Sequence, residues 1–217
     1  MSTRFGSGAI ALGICALILA GPAGADAQEP RLVGRLPDAP RLQVNEILDA
    51  AHEAGLPTEP LVDRALEGVA KGAVPNMIVA AVLRLRGELG LARDAFGVTA
   101  SAAELTAGAS ALRAGATPGN LARLRQLRPE HPLTVPAGVL ADLVAAGVPI
   151  ETGLDAVLAL ADGAADADYV AFRRNVERDI ALGASPVAAV GVRLRAVADA
   201  ALNSVGGTGS TPRKRKP

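Results

Sequence analysis

Aromatic side chains are nearly missing from this 217-residue chain: Phe5, Phe96, Tyr169 and Phe172 are all it has, and Trp is absent. Ala, Leu and Val must therefore fill the core. Small side chains let helices approach closely but bury little surface each, at about 25 cal/mol per Å² of apolar area. Cysteine is missing too, apart from Cys15. One thiol makes no intramolecular disulfide and no Cys-based metal cluster. Imidazole is confined to His52 and His131. An excess of either charge is lacking as well, with 22 basic against 22 acidic residues. Setting aside Arg4 and Asp26 near the N-terminus leaves 21 of each sign, and four of those bases fall in the last five residues. The part between thus carries 17 basic and 21 acidic groups, a net of −4. The basic footprint that nucleic-acid binding requires is missing, so no nucleic-acid partner is expected.

What is present begins with a leader. Arg4 supplies a positive start, Ala9 to Ala20 is an uninterrupted apolar run, and Gly21-Pro22 breaks it. Ala25-Asp26-Ala27 then offers small residues where a signal peptidase reads. Residues 1–27 are expected to be a signal peptide cut after Ala27, with Ala23-Gly24-Ala25 as the alternative site. The apolar run is shorter than the roughly 20 residues of a membrane span. Cys15 sits mid-run after Ile14, so it does not mark a lipoprotein, and a single Arg does not make a twin-arginine signal. Export to the periplasm or medium is the expectation. Removing the leader removes the only Cys, so stability in that compartment rests on packing alone.

Residues 28–40 carry three prolines and no periodicity, which predicts an extended lead-in. Thereafter Gly and Pro punctuate the chain, at Gly55-Leu-Pro57, Gly72-Ala-Val-Pro75, Gly115-Ala-Thr-Pro118, Gly147-Val-Pro149 and Gly183-Ala-Ser-Pro186. Gly after a last helical turn closes one helix, and Pro at a first turn is pre-set to open the next. Thr117 and Ser185 are placed as N-caps, and Ser101-Ala-Ala-Glu104 has capping-box spacing. Between these marks the apolar spacing is helical: Leu61, Val62, Ala65, Leu66 and Val69 make one stripe, and Tyr169, Phe172, Val176 and Ile180 another. The reading is an all-α fold with nine helices, near 41–54, 59–71, 75–95, 101–114, 118–127, 135–146, 150–162, 166–182 and 186–204. Ala54-Gly-Leu-Pro-Thr-Glu59 recurs as Ala146-Gly-Val-Pro-Ile-Glu151, which suggests stacked antiparallel hairpins. No fixed period holds, so the stack is expected to be irregular, solenoid-like or a bundle. One domain spans 41–204, and the Gly-, Ser- and Thr-rich residues 205–217 form a disordered tail.

Gly55-Leu-Pro57, Leu66-Glu-Gly68, Lys71-Gly72, Pro75 and Ile78 together resemble a segment that recurs in uncharacterised exported bacterial proteins. The likeness covers some 50–80 residues and implies an exported helical protein, with no activity or site attached.

No catalytic or cofactor motif stands out. His52-Glu53 begins like a zinc-protease signature, but position 56 is Leu, so the ligand pair is missing. His131, between Glu130 and Pro132, has no partner near in sequence. Asp162, Asp166 and Asp168 crowd one loop but lack a calcium loop's ligand count. Asp166 is better read as an N-cap and Asp168 as a complement to the positive helix start. Glu46, Asp49 and Glu53 share a helical face as a solvated acidic patch. The pairs Arg84/Arg86, Arg123/Arg125 and Arg193/Arg195 diverge by about 200° around a helix. None is a clamp unaided, although Arg123 with Arg128, or Arg174 with Arg178, offers a local patch. Gly108-Ala-Ser110-Ala-Leu112 lacks the second Gly of a nucleophile elbow, and Gly206-Gly-Thr-Gly-Ser210 lacks a phosphate-loop Lys.

Function is therefore expected from surfaces. The first expectation is an exported interaction or scaffold protein that binds another envelope protein or component. A second is tethering to an anionic surface through Arg213, Lys214, Arg215 and Lys216, which is weak and salt-sensitive. A hydrolase built from Glu46, Glu53, Asp155 and Asp162 is the third. No metal or cofactor is expected in any of them.

Overall fold

Gly and Pro divide the chain as the sequence predicts. The structure, a computed structural model, describes residues 29–161 and 163–206. Among these, every regular element is helical: α1 (Asp38–Glu53), α2 (Glu59–Ala70), α3 (Pro75–Phe96), α4 (Ala102–Arg113), α5 (Pro118–Leu127), α6 (Thr134–Ala145), α7 (Ile150–Leu160), α8 (Asp166–Ala181) and α9 (Pro186–Gly206). Residues 1–28, Asp162 and residues 207–217, on which the expected signal peptide and basic tail fall, lie outside the described residues.

Local chemistry sets the boundaries. At the start of α4, Ser101 Oγ accepts from the Glu104 amide at 3.2 Å, and the Glu104 carboxylate accepts from the Ser101 amide at 2.9 Å. Thr117 and Asn120 make the same reciprocal pair at α5, at 3.2 and 2.8 Å. Ser185 Oγ accepts from Ala188 N at 3.4 Å, capping α9. Helix ends are as regular. After α6, Gly147 takes φ +90°. That lets the Val148 amide donate back to the Leu143 carbonyl at 3.0 Å, satisfying an orphan carbonyl of the last turn. Val148 is thereby folded under the helix end and buried. The same closure ends α1, α2, α4 and α8, which explains why one phrase recurs without a fixed period.

Several boundaries differ from expectation, among them the end of α7 at Leu160 rather than 162. The stretch ahead of α1 is not simply extended: Pro30–Leu32 form a 3-10 turn, and α1 begins at Asp38. Leu32 and Leu36 drive this, because both are buried in the main core. Proline fixes φ at a value that suits a short tight turn, so three prolines do not oppose it. Arg31 pins the turn to α2 by bonding Glu29 at 2.7 Å and Glu59 at 2.7 and 2.8 Å. At the other end, α9 continues to Gly206 rather than 204.

Most helices pack on the helix two places away in sequence. Besides packing on its chain neighbour, α3 touches α1 and α5, α6 touches α4 and α8, and α7 touches α9. Such contacts fit a helical stack. One continuous apolar cluster runs through the stack from Leu32 to Val190. Small residues set its spacing. A Cβ built on Gly108 of α4 lies 2.7 Å from the Phe96 ring and 2.9 Å from the Ala92 methyl of α3. Gly87, on α3, has open space at that position. Gly108→Ala is thus expected to cost about 1–3 kcal/mol by overpacking. Gly87→Ala should instead stabilise by about 0.5–1 kcal/mol through helix propensity. Chemical denaturation of the two variants measures both.

Candidate binding groove

The last hairpin leaves an open apolar space. With 21 residues against 16, α9 outruns α8 by about 7 Å at 1.5 Å per residue. Ala189 and Val190 anchor the first half of α9 in the core, and Arg193 locks it to α8. The Arg193 guanidinium donates twice to the Asp179 carboxylate, at 2.6 and 2.5 Å, and holds that carboxyl below its usual range. Beyond Arg193 the helix passes over a groove of about 990 Å³. Leu160 and Phe172 form the groove's floor, while Ala164, Ala171, Leu194 and Val197 stand along it. Val197 remains 40% exposed although it lies on the inward side of α9. Asp168, Asn175 and Arg195 supply the polar edge.

A buried polar network reaches this groove at Ala164. Glu104, 8% exposed, does more than cap α4. Its carboxylate also accepts from the Leu133 amide at 3.0 Å and from Arg125 at 2.5 Å. Burial alone raises the pKa of this carboxyl. The donors from Ser101, Leu133 and Arg125 outweigh that effect and hold it below the usual carboxylate range. Arg125 spans to the carbonyls of Arg128, Pro129 and His131 at 3.1–3.4 Å, and its guanidinium lies 5.8 Å from the Phe96 ring centre. Arg128, 4% exposed, stacks 5.2 Å over the Tyr169 ring and donates to the Ala164 carbonyl at 2.7 Å. Burial pushes the Tyr169 hydroxyl up, and it donates to the Val157 carbonyl at 3.3 Å. The turn between α7 and α8, which includes groove-lining Ala164, is therefore tied to α4 and α5 through two arginines.

Of the residues singled out in the sequence, Asp168, Arg193 and Arg195 border the groove, and most of the others fall elsewhere. His52 and His131 are exposed, on α1 and in the turn before α6. Glu46, Asp49 and Glu53 face water on α1 as expected, and Asp155 is exposed on α7. Among the described residues no three His, Cys, Asp or Glu side chains come together as a metal site. Asp166 is the first residue of α8 rather than its N-cap. Ala165 holds the cap position, and Asp168 reaches back to its amide at 2.8 Å, satisfying it from within the helix. Each Arg-x-Arg pair splits as helical geometry requires, with Arg84, Arg123 and Arg195 exposed and Arg86, Arg125 and Arg193 half-buried. Arg128 is buried, so it forms no surface patch with Arg123. Arg213, Lys214, Arg215 and Lys216 lie outside the described residues.

The sequence reading missed the inward roles of Glu104, Arg125 and Arg128. Only the capping-box half of Glu104 was visible there.

Among the described residues of the groove, Arg193 is bonded to Asp179 and Asp168 to its own helix start. What it offers is apolar surface with a charged edge. No helix among the described residues is long and apolar enough to cross a membrane. Compared with protein-family models, curated proteins and solved structures, the chain matches none.

Proposed function

We propose that this chain is an exported helical interaction protein, and that the groove under α9 receives an amphipathic helix of an envelope partner. The groove carries the reading: about 990 Å³ of open space over Leu160 and Phe172, beside a helix whose inward Val197 is left uncovered. Helix-in-groove recognition needs an apolar trough, rigid walls and a few edge charges to set orientation. The Arg128–Ala164 and Arg193–Asp179 contacts supply rigid walls, and Asp168 and Arg195 supply edge charges of opposite sign. Leader composition in residues 1–27 supports export. Dispersed, exposed Glu46, Glu53 and Asp155 give the hydrolase reading no support.

Ala171 provides the test, because it is exposed yet lines the groove. Ala171→Glu places a charge in the trough without removing a core contact. Protein carrying this change should lose at least about tenfold in affinity for its partner, the cost of burying an unpaired charge. Ala80→Glu, on an exposed position of α3, should leave binding unchanged. Capture from envelope extract at high salt reads both. Equal capture by the two variants removes the groove from the account.

A further inference from the structure

The two ends of the stack differ in character. On α1, the outward positions Gln43, Glu46, Asp49 and Glu53 are polar, with a half-exposed Leu42 among them. On α9, the face turned away from buried Ala189 and Val190 carries Val192, Arg195, Asp199 and Leu202, all exposed. At 100° per residue these four lie within an arc of about 80°, so they form one stripe. Terminal elements of a helical stack need a polar outer face to remain solitary. This one has instead a 55%-exposed Val192 and a 72%-exposed Leu202 flanking two opposite charges. Neither Arg195 nor Asp199 forms an ion pair within the described residues, although every salt bridge α9 makes there comes from Arg193.

The order of these four is what identifies the occupant. Read forward, the stripe is apolar, positive, negative, apolar; laid antiparallel on itself it becomes its own complement. With a two-fold axis at the level of residue 197, Arg195 of one copy faces Asp199 of the other, and the reverse pair forms on the far side of the axis. In the same register Val192 faces Leu202, twice. A parallel pairing instead opposes Arg195 to Arg195 and Asp199 to Asp199. We infer that α9 pairs antiparallel with α9 of a second copy of this chain, through a symmetric interface centred on two Arg195–Asp199 ion pairs.

Isologous closure requires such self-complementarity of a single patch, and the stripe supplies it in charge and in hydropathy. Ala188, Gly191 and Ala198 flank the four and add little bulk, so the helices approach closely. Four side chains from each copy make a small contact, which predicts weak, concentration-dependent self-association. The inference does not rest on the groove: Arg195 also borders the groove, but Val192, Asp199 and Leu202 do not line it, so Asp199→Arg tests the pairing without touching the groove.

Sedimentation equilibrium over a concentration series tests it, using protein recovered from cells that express the full chain. The wild type should show a concentration-dependent monomer–dimer equilibrium that weakens with salt. Arg195→Asp and Asp199→Arg each replace two attractive pairs by two repulsive ones, and each should raise the dissociation constant about tenfold or more. The double change Arg195→Asp with Asp199→Arg restores both pairs in reversed sense and should return the dimer. Circular dichroism of the variants confirms that the helices remain. A wild type that stays monomeric at all concentrations overturns the inference. So does self-association that the single reversals leave intact, or a double variant no better than the singles. Ala171→Glu should leave the dimer unchanged, which separates this interface from the groove.

Discussion

Glu104→Ala is expected to destabilise the domain by about 3–5 kcal/mol, the usual cost of removing one partner from a buried, hydrogen-bonded charge pair. The carboxylate accepts from Ser101 N, Ser101 Oγ, Leu133 N and Arg125, so its loss orphans donors on three separate segments. Most of the penalty comes from the groups left behind: Arg125 keeps its charge in a half-buried position, and the buried Leu133 amide loses its acceptor. Against a domain stability of about 5–15 kcal/mol, this single change brings the fold close to its limit. Urea denaturation at neutral pH measures it. The same group sets an acid dependence. Its folded pKa is depressed, so its contribution is complete above the ordinary carboxylate range and fades as pH falls through the lowered value. Below that range the gap between wild type and Glu104→Ala should narrow; a gap independent of pH contradicts the assigned role.

Arg128→Ala is the second large effect, expected at about 3 kcal/mol. A charge-assisted hydrogen bond to the Ala164 carbonyl and a desolvated stack on Tyr169 are both removed. Lys at this position keeps the charge but loses the flat face that lies on the ring, together with the forked donors. Arg128→Lys should therefore fall between the wild type and the Ala variant. Because Ala164 lines the groove, the consequence reaches beyond stability. Amide hydrogen exchange in residues 160–168 should rise in Arg128→Ala before global unfolding does. A uniform rise over the whole chain indicates that Arg128 supports the core in general and not the groove at Ala164.

Helix number, order and most boundaries were legible because they depend on neighbours in sequence. Gly at a helix end, Pro at a helix start and Ser101 or Thr117 at a cap act over three to five residues, and the structure reproduces them. The lead-in was less legible, since proline chemistry is visible in sequence while the burial of Leu32 and Leu36 is decided by α1 and α2. Asp166 was misplaced by one residue because two Asp residues competed for one helix start, and Asp168 satisfies the amide from within the helix. The polar network was hidden for another reason. Glu104 meets Arg125 and Leu133 across 21 and 29 residues, and Arg128 meets Ala164 across 36. A lone charged residue at a helix end looks solvated until the fold closes over it. The groove lies between the second half of α9 and α8, a space that appears only once the hairpin is packed.

Partner recognition by the groove is the central claim, and site-specific photo-crosslinking tests it most directly. A photo-reactive side chain at position 171 lies in the groove, and one at position 49 lies on the polar face of α1. In intact cells expressing the full chain, position 171 should yield a discrete adduct whose partner peptide is an amphipathic helical segment, and position 49 should not. Adducts of the same pattern from both positions, or none from position 171 while capture persists, contradict the account.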